Sequence, residues 1–229
     1  MTENKFSIEE ALSFGWDTFS KHIRFFMLLM LCVFVVFSFL GFLQELAKAL
    51  HPSGFVLLNI FVIAFNIIVS IGLIKIALSF VHNQKPSIRA AFVPHAHTFF
   101  PYVVGSFLYA LIVIAGFILL IIPGFMWAIK YQFFGYFLID QSCEPREALR
   151  RSARATQGVR LKLFGMFIVL TVLNVIGALL FGVGLLVTIP VTLLAMGFVY
   201  QKLKLHTESN EALRHVDPGN VPHSPAATV

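Results

Sequence analysis

The sequence predicts an all-α fold: a polytopic integral membrane helix bundle whose six transmembrane helices form three hairpins, each preceded by a short cytoplasmic amphipathic helix. Of the 229 residues, 58% are hydrophobic and only 12% are charged, and the mean hydropathy is +0.86. A soluble domain carries about 25% charged residues. Six apolar runs follow one another along the chain, and most of the cations cluster beside these runs rather than inside them.

The apolar runs match the thickness of a bilayer, because a hydrocarbon core of roughly 30 Å needs about 20 apolar residues. The fourth run is shorter, since its 15 residues rise about 22 Å at 1.5 Å each. We therefore expect the Pro123-Gly124 turn before it to lie below the outer surface, shielded by neighbouring helices. The six predicted spans of the membrane domain, residues 1–204, are residues 25–43, 55–74, 102–122, 125–139, 163–181 and 185–200.

One amphipathic helix is predicted before each hairpin. In the first, residues 6–23, Ser7-Ile-Glu-Glu10 has the pattern of a capping box, and apolar residues recur at three- and four-residue steps. Such a helix either lies among the lipid headgroups or packs on the end of the bundle. The second helix follows Pro86, with Ser87 as its N-cap. The third begins at Pro145, which suits a first helical turn.

The three units, each made of an amphipathic helix and the hairpin after it, resemble one another and suggest an internal repeat. Ser7-Ile-Glu-Glu-Ala-Leu12, Ser87-Ile-Arg-Ala-Ala-Phe92 and Pro145-Arg-Glu-Ala-Leu149 each precede two apolar runs. The last two units match further: six apolar residues separate Gly116 from Pro123, and five residues separate Gly184 from Pro190. The pattern predicts three equivalent hairpins around a common axis.

The placement of the cations predicts the orientation. Nearly all of them lie before the first span, between the second and third, between the fourth and fifth, or after the sixth. The positive-inside rule then places both termini in the cytoplasm. The same placement argues for contact with anionic lipid and against nucleic acid as the reason for the basic composition. Residues 205–229 are polar and are predicted to form a disordered cytoplasmic tail.

The sequence contains no recognisable catalytic or cofactor-binding motif. Cys32 and Cys143 are placed too differently to suggest a disulfide, and neither belongs to a metal-binding spacing. The histidines of the second connector, including His95 and His97, lack accompanying carboxylates or cysteines. We therefore predict no enzyme, no metal and no cofactor.

A basic segment after the fourth run is the first candidate site. Arginines at mostly three- and four-residue steps would leave Leu149 and Ala153 facing lipid, and guanidinium groups can hold phosphate with two hydrogen bonds. Two explanations stay open: the cations only fix the topology, or they form a phospholipid or partner site. The segment contains Arg146, Arg150, Arg151, Arg154, Arg160 and Lys162.

Polar residues inside the apolar runs form the second candidate set. A cation at mid-bilayer costs roughly 2.5–3.5 kcal/mol on insertion scales. Lys130 therefore needs a water pocket, a route to the interface or a partner, for which Glu45 is a candidate; Lys75 is expected to reach the interface. Amides in spans usually bond between helices. The set consists of Lys130, Lys75, Asn59, Asn66 and Asn174.

Residues 120–152 resemble a known protein group. Leu120-Ile-Ile-Pro-Gly-Phe-Met-Trp-Ala-Ile-Lys130, Phe137-Leu-Ile-Asp140 and Glu144-Pro-Arg-Glu-Ala-Leu-Arg-Arg-Ser152 are similar to uncharacterised bacterial six-helix inner-membrane proteins related to the membrane domain of glycerophosphoryl diester phosphodiesterase. The resemblance covers about residues 5–204. It implies a helical fold in the bacterial inner membrane without an established activity, and no catalytic residue can be carried over.

Together these observations predict a non-enzymatic bacterial inner-membrane protein that binds anionic lipid or a protein partner and serves envelope upkeep. The alternative is a small transporter or channel with a polar intramembrane pocket around Lys130. A homo-oligomer is compatible with both hypotheses.

Overall fold

The computed structural model describes residues 6–50, 52–93, 96–180 and 182–215 of the chain, and these residues form an all-helical bundle. Its ten helices are α1 (Ile8–Lys21), α2 (Ile23–Leu50), α3 (Pro52–Val81), α4 (Ile88–Phe92), α5 (Ala96–Leu119), α6 (Ile121–Tyr131), α7 (Phe134–Gln141), α8 (Pro145–Ala155), α9 (Arg160–Leu179) and α10 (Leu185–His215).

Five of the helices within these residues are long and apolar enough to cross a membrane, as in a multi-pass membrane protein. They contain the predicted spans one, two and six, and most of the predicted spans three and five. The predicted fourth span is not one helix, because residues 125–139 are divided between α6, α7 and an intervening turn at Gln132-Phe133. The expectation of six equivalent spanning helices is therefore corrected to five long helices and one interrupted segment.

The last helix is longer than predicted. α10 continues from the membrane-spanning segment to His215, so residues 205–215 are helical rather than disordered. The rest of the predicted tail, residues 216–229, lies outside the described residues, as does His95. At 1.5 Å per residue, the 31 residues of α10 extend about 46 Å, well beyond a hydrocarbon core of about 30 Å.

The reversal between α5 and α6 occurs at Leu120, before the Pro123-Gly124 pair that was predicted to form it. Leu120 has extended backbone angles and precedes the first turn of α6. Pro123 occupies the third position of α6, where a missing N–H breaks no intrahelical bond. Beyond this turn the two helices touch at glycines: a Cβ on Gly116 would lie 2.9 Å from the Cα of Gly124.

A second glycine contact closes the reversal between α9 and α10. A Cβ on Gly184 would lie 2.5 Å from the carbonyl oxygen of Gly177. The two reversals do not support the repeat as aligned in the sequence, because Gly116 precedes its reversal at Leu120, whereas Gly184 is the last residue of its own turn. The similarity of Gly116–Pro123 to Gly184–Pro190 is thus one of composition rather than position.

α1 packs along α10 instead of lying free among headgroups. The rings of Phe14 and Phe198 stack 4.8 Å apart, and a Cβ on Gly15 would lie 2.7 Å from the carbonyl oxygen of Val191. The predicted capping box does not form, since the Ser7 side chain makes no capping bond. Glu10 instead accepts a hydrogen bond from Lys202 at 3.0 Å, which ties α1 to α10.

The main core lies at one end of the bundle, which we call the polar end. There α7, α8, the start of α9 and the second half of α10 meet around Tyr200, Phe133 and Leu163, all of which are buried. A second cluster around Phe26, Ile76 and Leu194 joins α2, α3 and α10. Toward the opposite ends of the spans, apolar side chains such as Phe42, Leu57 and Ile118 are exposed.

Candidate functional site at the polar end

α8 is an amphipathic helix with one face embedded in the protein. Ala148, Leu149, Ser152 and Ala155 are buried at its centre. Leu149 therefore belongs to the protein core, which corrects the expectation that it faces lipid; Ala153 is half-buried. The arginines on the remaining faces stay at least partly accessible to solvent or headgroups.

Ser152 and Thr156 fasten α8 to the interruption between α6 and α7. The Ser152 hydroxyl donates to the carbonyl of Lys130 at 3.0 Å and accepts from the N–H of Phe133 at 3.2 Å. Thr156 also donates to the Lys130 carbonyl, at 3.1 Å. Backbone groups that an unbroken helix would pair internally are thus satisfied by side chains, as buried peptide groups must be. These bonds explain how the helix of the fourth apolar run can be interrupted without leaving its buried backbone groups unpaired.

The six cations that were predicted to bind phosphate have different partners in the structure. Arg150 and Arg151 share Glu147, at 2.6 Å and 3.0 Å, and Arg151 also hydrogen-bonds Gln141. Lys162 donates to the carbonyl of Phe6 at 2.7 Å. Arg146 is exposed on the first turn of α8, and Arg154 is exposed on its last turn. Much of the predicted cationic surface is therefore used to hold the polar end together.

A mixed-charge pocket of about 120 Å³ separates α8 from α10. Arg151, Arg154 and Lys204 line it, together with the carboxylates of Glu147 and Glu208. Gln141 donates to Glu208 at 3.3 Å across the same gap. Since opposite charges alternate here, the pocket is an ion-pair network rather than a cationic cradle for phosphate.

Arg160 differs from the other cations. It is the first residue of α9, it is half-buried, and its Nε is buried without a hydrogen-bond partner among the described residues. Beside it, an open groove of about 390 Å³ lies between α6 and α9. The groove is lined by Arg160 and by six apolar side chains: Ile122, Phe125, Met126, Ile129, Leu161 and Phe164.

The depth of this groove follows from its neighbours. Ile129 precedes Lys130, whose carbonyl accepts from Thr156, four residues before Arg160. Arg160 and Ile129 therefore lie at the polar end. Ile122 is seven residues away on α6, about 10 Å along the helix axis. The groove thus runs from a cation at the polar end toward the apolar middle of the bundle.

A buried ion pair also joins α7 to α10. Asp140 accepts hydrogen bonds from the Tyr200 hydroxyl and from the Lys204 ammonium, each at 2.7 Å. Both charged side chains are largely buried, at 12% and 21% exposure. A buried charge of this kind requires its partners, so the three residues act as one structural unit.

Two titratable groups beside α8 have shifted pKa values. The pKa of Glu147 is lowered, chiefly because Arg151 hydrogen-bonds its carboxylate, with Arg150 adding to the effect. Burial raises the pKa of the Cys143 thiol, whose Sγ lies 3.6 Å from the Phe137 carbonyl oxygen. A thiol with a raised pKa is a poor nucleophile, which agrees with a structural cysteine.

The two predicted intramembrane cations, Lys130 and Lys75, have different surroundings. Lys130 occupies the last turn of α6, next to α8, and its ammonium lies 4.9 Å from the ring centre of Tyr131. Its proposed partner Glu45 pairs instead with Lys48 at 2.8 Å. Lys75 is half-buried in α3 and lines a small cavity with Phe92 of α4.

The three intramembrane amides have different surroundings. Asn59 accepts from Gln44 at 3.1 Å and so joins α2 to α3. Asn174 donates to Thr192 at 3.0 Å between α9 and α10, although its Oδ1 has no partner among the described residues. Asn66 is exposed on α3, and only its backbone carbonyl accepts a hydrogen bond, from Ser70 at 2.8 Å.

Sequence reasoning missed the residues that hold the site together. Ser152 and Thr156 carried a usable signal, because they are two polar residues four apart on the buried side of α8. The partnership of Asp140 with Tyr200 and Lys204 carried none, since about 60 residues separate the partners.

Comparisons of the chain with family models, with curated proteins and with solved structures find no match. The resemblance to six-helix inner-membrane proteins therefore stays a prediction.

Proposed function

We propose that this chain is a non-enzymatic membrane protein that binds one anionic phospholipid in the groove between α6 and α9. The phosphate pairs with Arg160, and an acyl chain lies along Ile129, Met126 and Ile122. The observation that supports this proposal is Arg160, a half-buried residue whose buried Nε lacks a partner among the described residues, beside a wall of apolar side chains.

Physical chemistry favours a lipid over a soluble anion at this position. Charged donors buried without partners are costly, and a charge-assisted hydrogen bond to phosphate removes that cost. The groove volume of about 390 Å³ lies within the range of about 300–1,000 Å³ that is usual for ligand sites. A free phosphate would satisfy Arg160 but would leave the apolar wall empty.

The proposed orientation places the polar end in the cytoplasm of a bacterium, at the inner membrane. Most cations of the described chain lie at this end, including those of α8, the start of α9 and Lys202 and Lys204 of α10. Positively charged segments are retained on the cytoplasmic side, and that leaflet carries anionic lipid. The exposed Arg146 and Arg150 then add non-specific attraction worth roughly 1 kcal/mol each.

Lipid retention tests the proposal. The full chain is purified after exchange into detergent micelles that contain equal amounts of phosphatidylglycerol and phosphatidylcholine, and bound lipid is counted by native mass spectrometry. We expect one retained phosphatidylglycerol. Arg160→Gln should reduce its retention roughly tenfold, because it removes a charge-assisted hydrogen bond. Arg24→Gln is the matched control, since Arg24 is an exposed arginine at the start of another span.

Two further variants separate the groove from the arginine-rich face of α8. Met126→Trp fills the groove without changing charge and should also release the lipid, whereas Leu57→Trp on the exposed face of α3 should not. The triple change of Arg150, Arg151 and Arg154 to Ala should leave the tightly held lipid in place. If Arg160→Gln retains it and the triple variant loses it, the site is α8 and the groove proposal is wrong.

An excess of inorganic phosphate distinguishes a lipid headgroup from a simple anion site. Phosphate should not displace the bound lipid, because the acyl chain contributes to binding. The alternative function, a small transporter or channel with a polar pocket around Lys130, remains a prediction. No contact of Lys130 among the described residues favours it over lipid binding.

A further inference from the structure

The exposed amide of Asn66 on α3 has no explanation within the fold. α3 runs from Pro52 to Val81, so Asn66 lies in the middle of a membrane-spanning helix. Its side chain is exposed and makes no hydrogen bond to any described residue. Ile63, one turn earlier on the same face, is 60% exposed. A donor and an acceptor thus point away from the bundle, where lipid offers neither.

Hydrocarbon makes such an arrangement unfavourable, because unpaired polar groups in the bilayer core are costly. The other two intramembrane amides each bond to a neighbouring helix, Asn59 to Gln44 and Asn174 to Thr192, although the Oδ1 of Asn174 has no partner among the described residues. Asn66 is the one of the three whose side chain bonds to no other helix in the described chain. Its partner must therefore come from outside the described chain, at the same depth in the membrane.

From this placement we infer that the chain self-associates through the Asn66 face of α3. Two copies inserted in the same orientation are related by a twofold axis along the membrane normal. That axis brings each residue to the depth of its own counterpart, so Asn66 meets Asn66. A carboxamide carries both donors and an acceptor, so two facing amides can form two reciprocal hydrogen bonds. A different partner protein would need its own polar group at this depth.

The packing around Asn66 leaves room for a second copy. Val56, Ile60 and Ile63 of α3 are all more than half exposed. These apolar side chains would flank the amide pair, which is the usual composition of an interface between membrane helices: packing supplemented by a few polar contacts. This inference is independent of the lipid groove, which lies on α6 and α9.

Cross-linking in membranes tests the inference. In a background carrying Cys32→Ser and Cys143→Ser, Asn66→Cys and Ile63→Cys are each oxidised in proteoliposomes at high lipid-to-protein ratio. We expect a covalent dimer from both, because the face is at the symmetry axis. Leu111→Cys, an exposed position on α5, is the matched control and should stay monomeric. Equal cross-linking at all three positions would indicate random collision and overturn the inference.

The amide itself is tested without cysteines. Energy transfer between labelled copies, titrated against lipid dilution, gives the dimer dissociation constant. Asn66→Leu keeps the size but removes the hydrogen bonds, and should weaken association about tenfold; Asn66→Gln should largely preserve it. If the dimer dissociation constant of Asn66→Leu is unchanged while its helical content is retained, the amide does not drive association and the proposal is wrong.

Discussion

The polar end and the α2–α3 hairpin differ in whether their polar groups find hydrogen-bond partners within the chain. At the polar end, α7, α8 and α10 surround Tyr200, and the groups of Lys130, Phe133, Asp140 and Ser152 find partners within the chain. In the α2–α3 hairpin, Asn59 is paired with Gln44, but Asn66 and many apolar side chains, such as Phe42 and Ile60, are exposed.

The difference shows which region stabilises the fold and which is available for association. Internal satisfaction of polar groups fixes one arrangement of helices, because any displacement leaves a donor or acceptor unpaired. The exposed positions of the hairpin, including Asn66, lack that constraint. We therefore expect substitutions at the polar end to lower the free energy of unfolding, and substitutions at exposed positions of the hairpin to change it little.

The largest effect is expected from Tyr200→Ala. Tyr200 is fully buried, its ring centre lies 4.9 Å from that of Phe137, and its hydroxyl donates to Asp140. Loss of a buried aromatic side chain costs about 3–5 kcal/mol. Phe42→Ala, at an exposed aromatic position of α2, is the control and should cost far less. Urea titration in bicelles, followed by tryptophan fluorescence, measures both. Equal losses would show that the hairpin is as tightly packed as the polar end.

A smaller effect is expected from Ser152→Ala. The substitution leaves the buried N–H of Phe133 without an acceptor, while Thr156 still donates to the Lys130 carbonyl. An unpaired buried donor costs about 1–3 kcal/mol. Ser70→Ala removes a hydroxyl that bonds only to the carbonyl one turn earlier, and should cost less than about 0.5 kcal/mol. The same titration compares them, and a larger loss for Ser70→Ala would contradict the comparison.

The smallest effect concerns pH. The pKa of Glu147 is lowered in the folded protein, chiefly by its hydrogen bond to Arg151, from an ordinary value of 4.5. A carboxyl group with a lowered pKa contributes stability that is present above its unfolded pKa and is lost as the pH falls through its folded pKa. The loss should therefore begin below about pH 4.5 and stay under about 1 kcal/mol, because the ion pairs are partly exposed.

Glu147→Gln should flatten this acidic part of the stability curve. Glu9→Gln, which removes an exposed carboxylate from α1, should leave the dependence on pH in place. A wild-type curve that is already flat between pH 5 and pH 3 would contradict the assignment, since the ion pairs would then contribute nothing.

The sequence by itself determined that the chain is helical and membrane-spanning, because the length of an uncharged apolar run must match the bilayer and hydropathy reports that length directly. Five of the predicted spans appear as long helices for this reason. The amphipathic character of α8 was also predictable from its pattern of arginines. Which face of α8 is buried was not, since Leu149 and Ala153 would suit either lipid or protein.

Only the tertiary structure decided where the fourth run breaks and which polar groups remain unpaired. The break at Gln132-Phe133 depends on Ser152 and Thr156, which lie about 20 residues away and come into contact only when α8 docks. In the described part of the chain, Asn59 finds a partner and Asn66 does not, and Arg151 pairs with a carboxylate whereas Arg160 does not. In both cases the difference depends on side chains that only folding brings together. The hydrophobic periodicity of a sequence indicates which face of a helix is buried, whereas hydrogen bonds and ion pairs between distant residues form only when the chain packs.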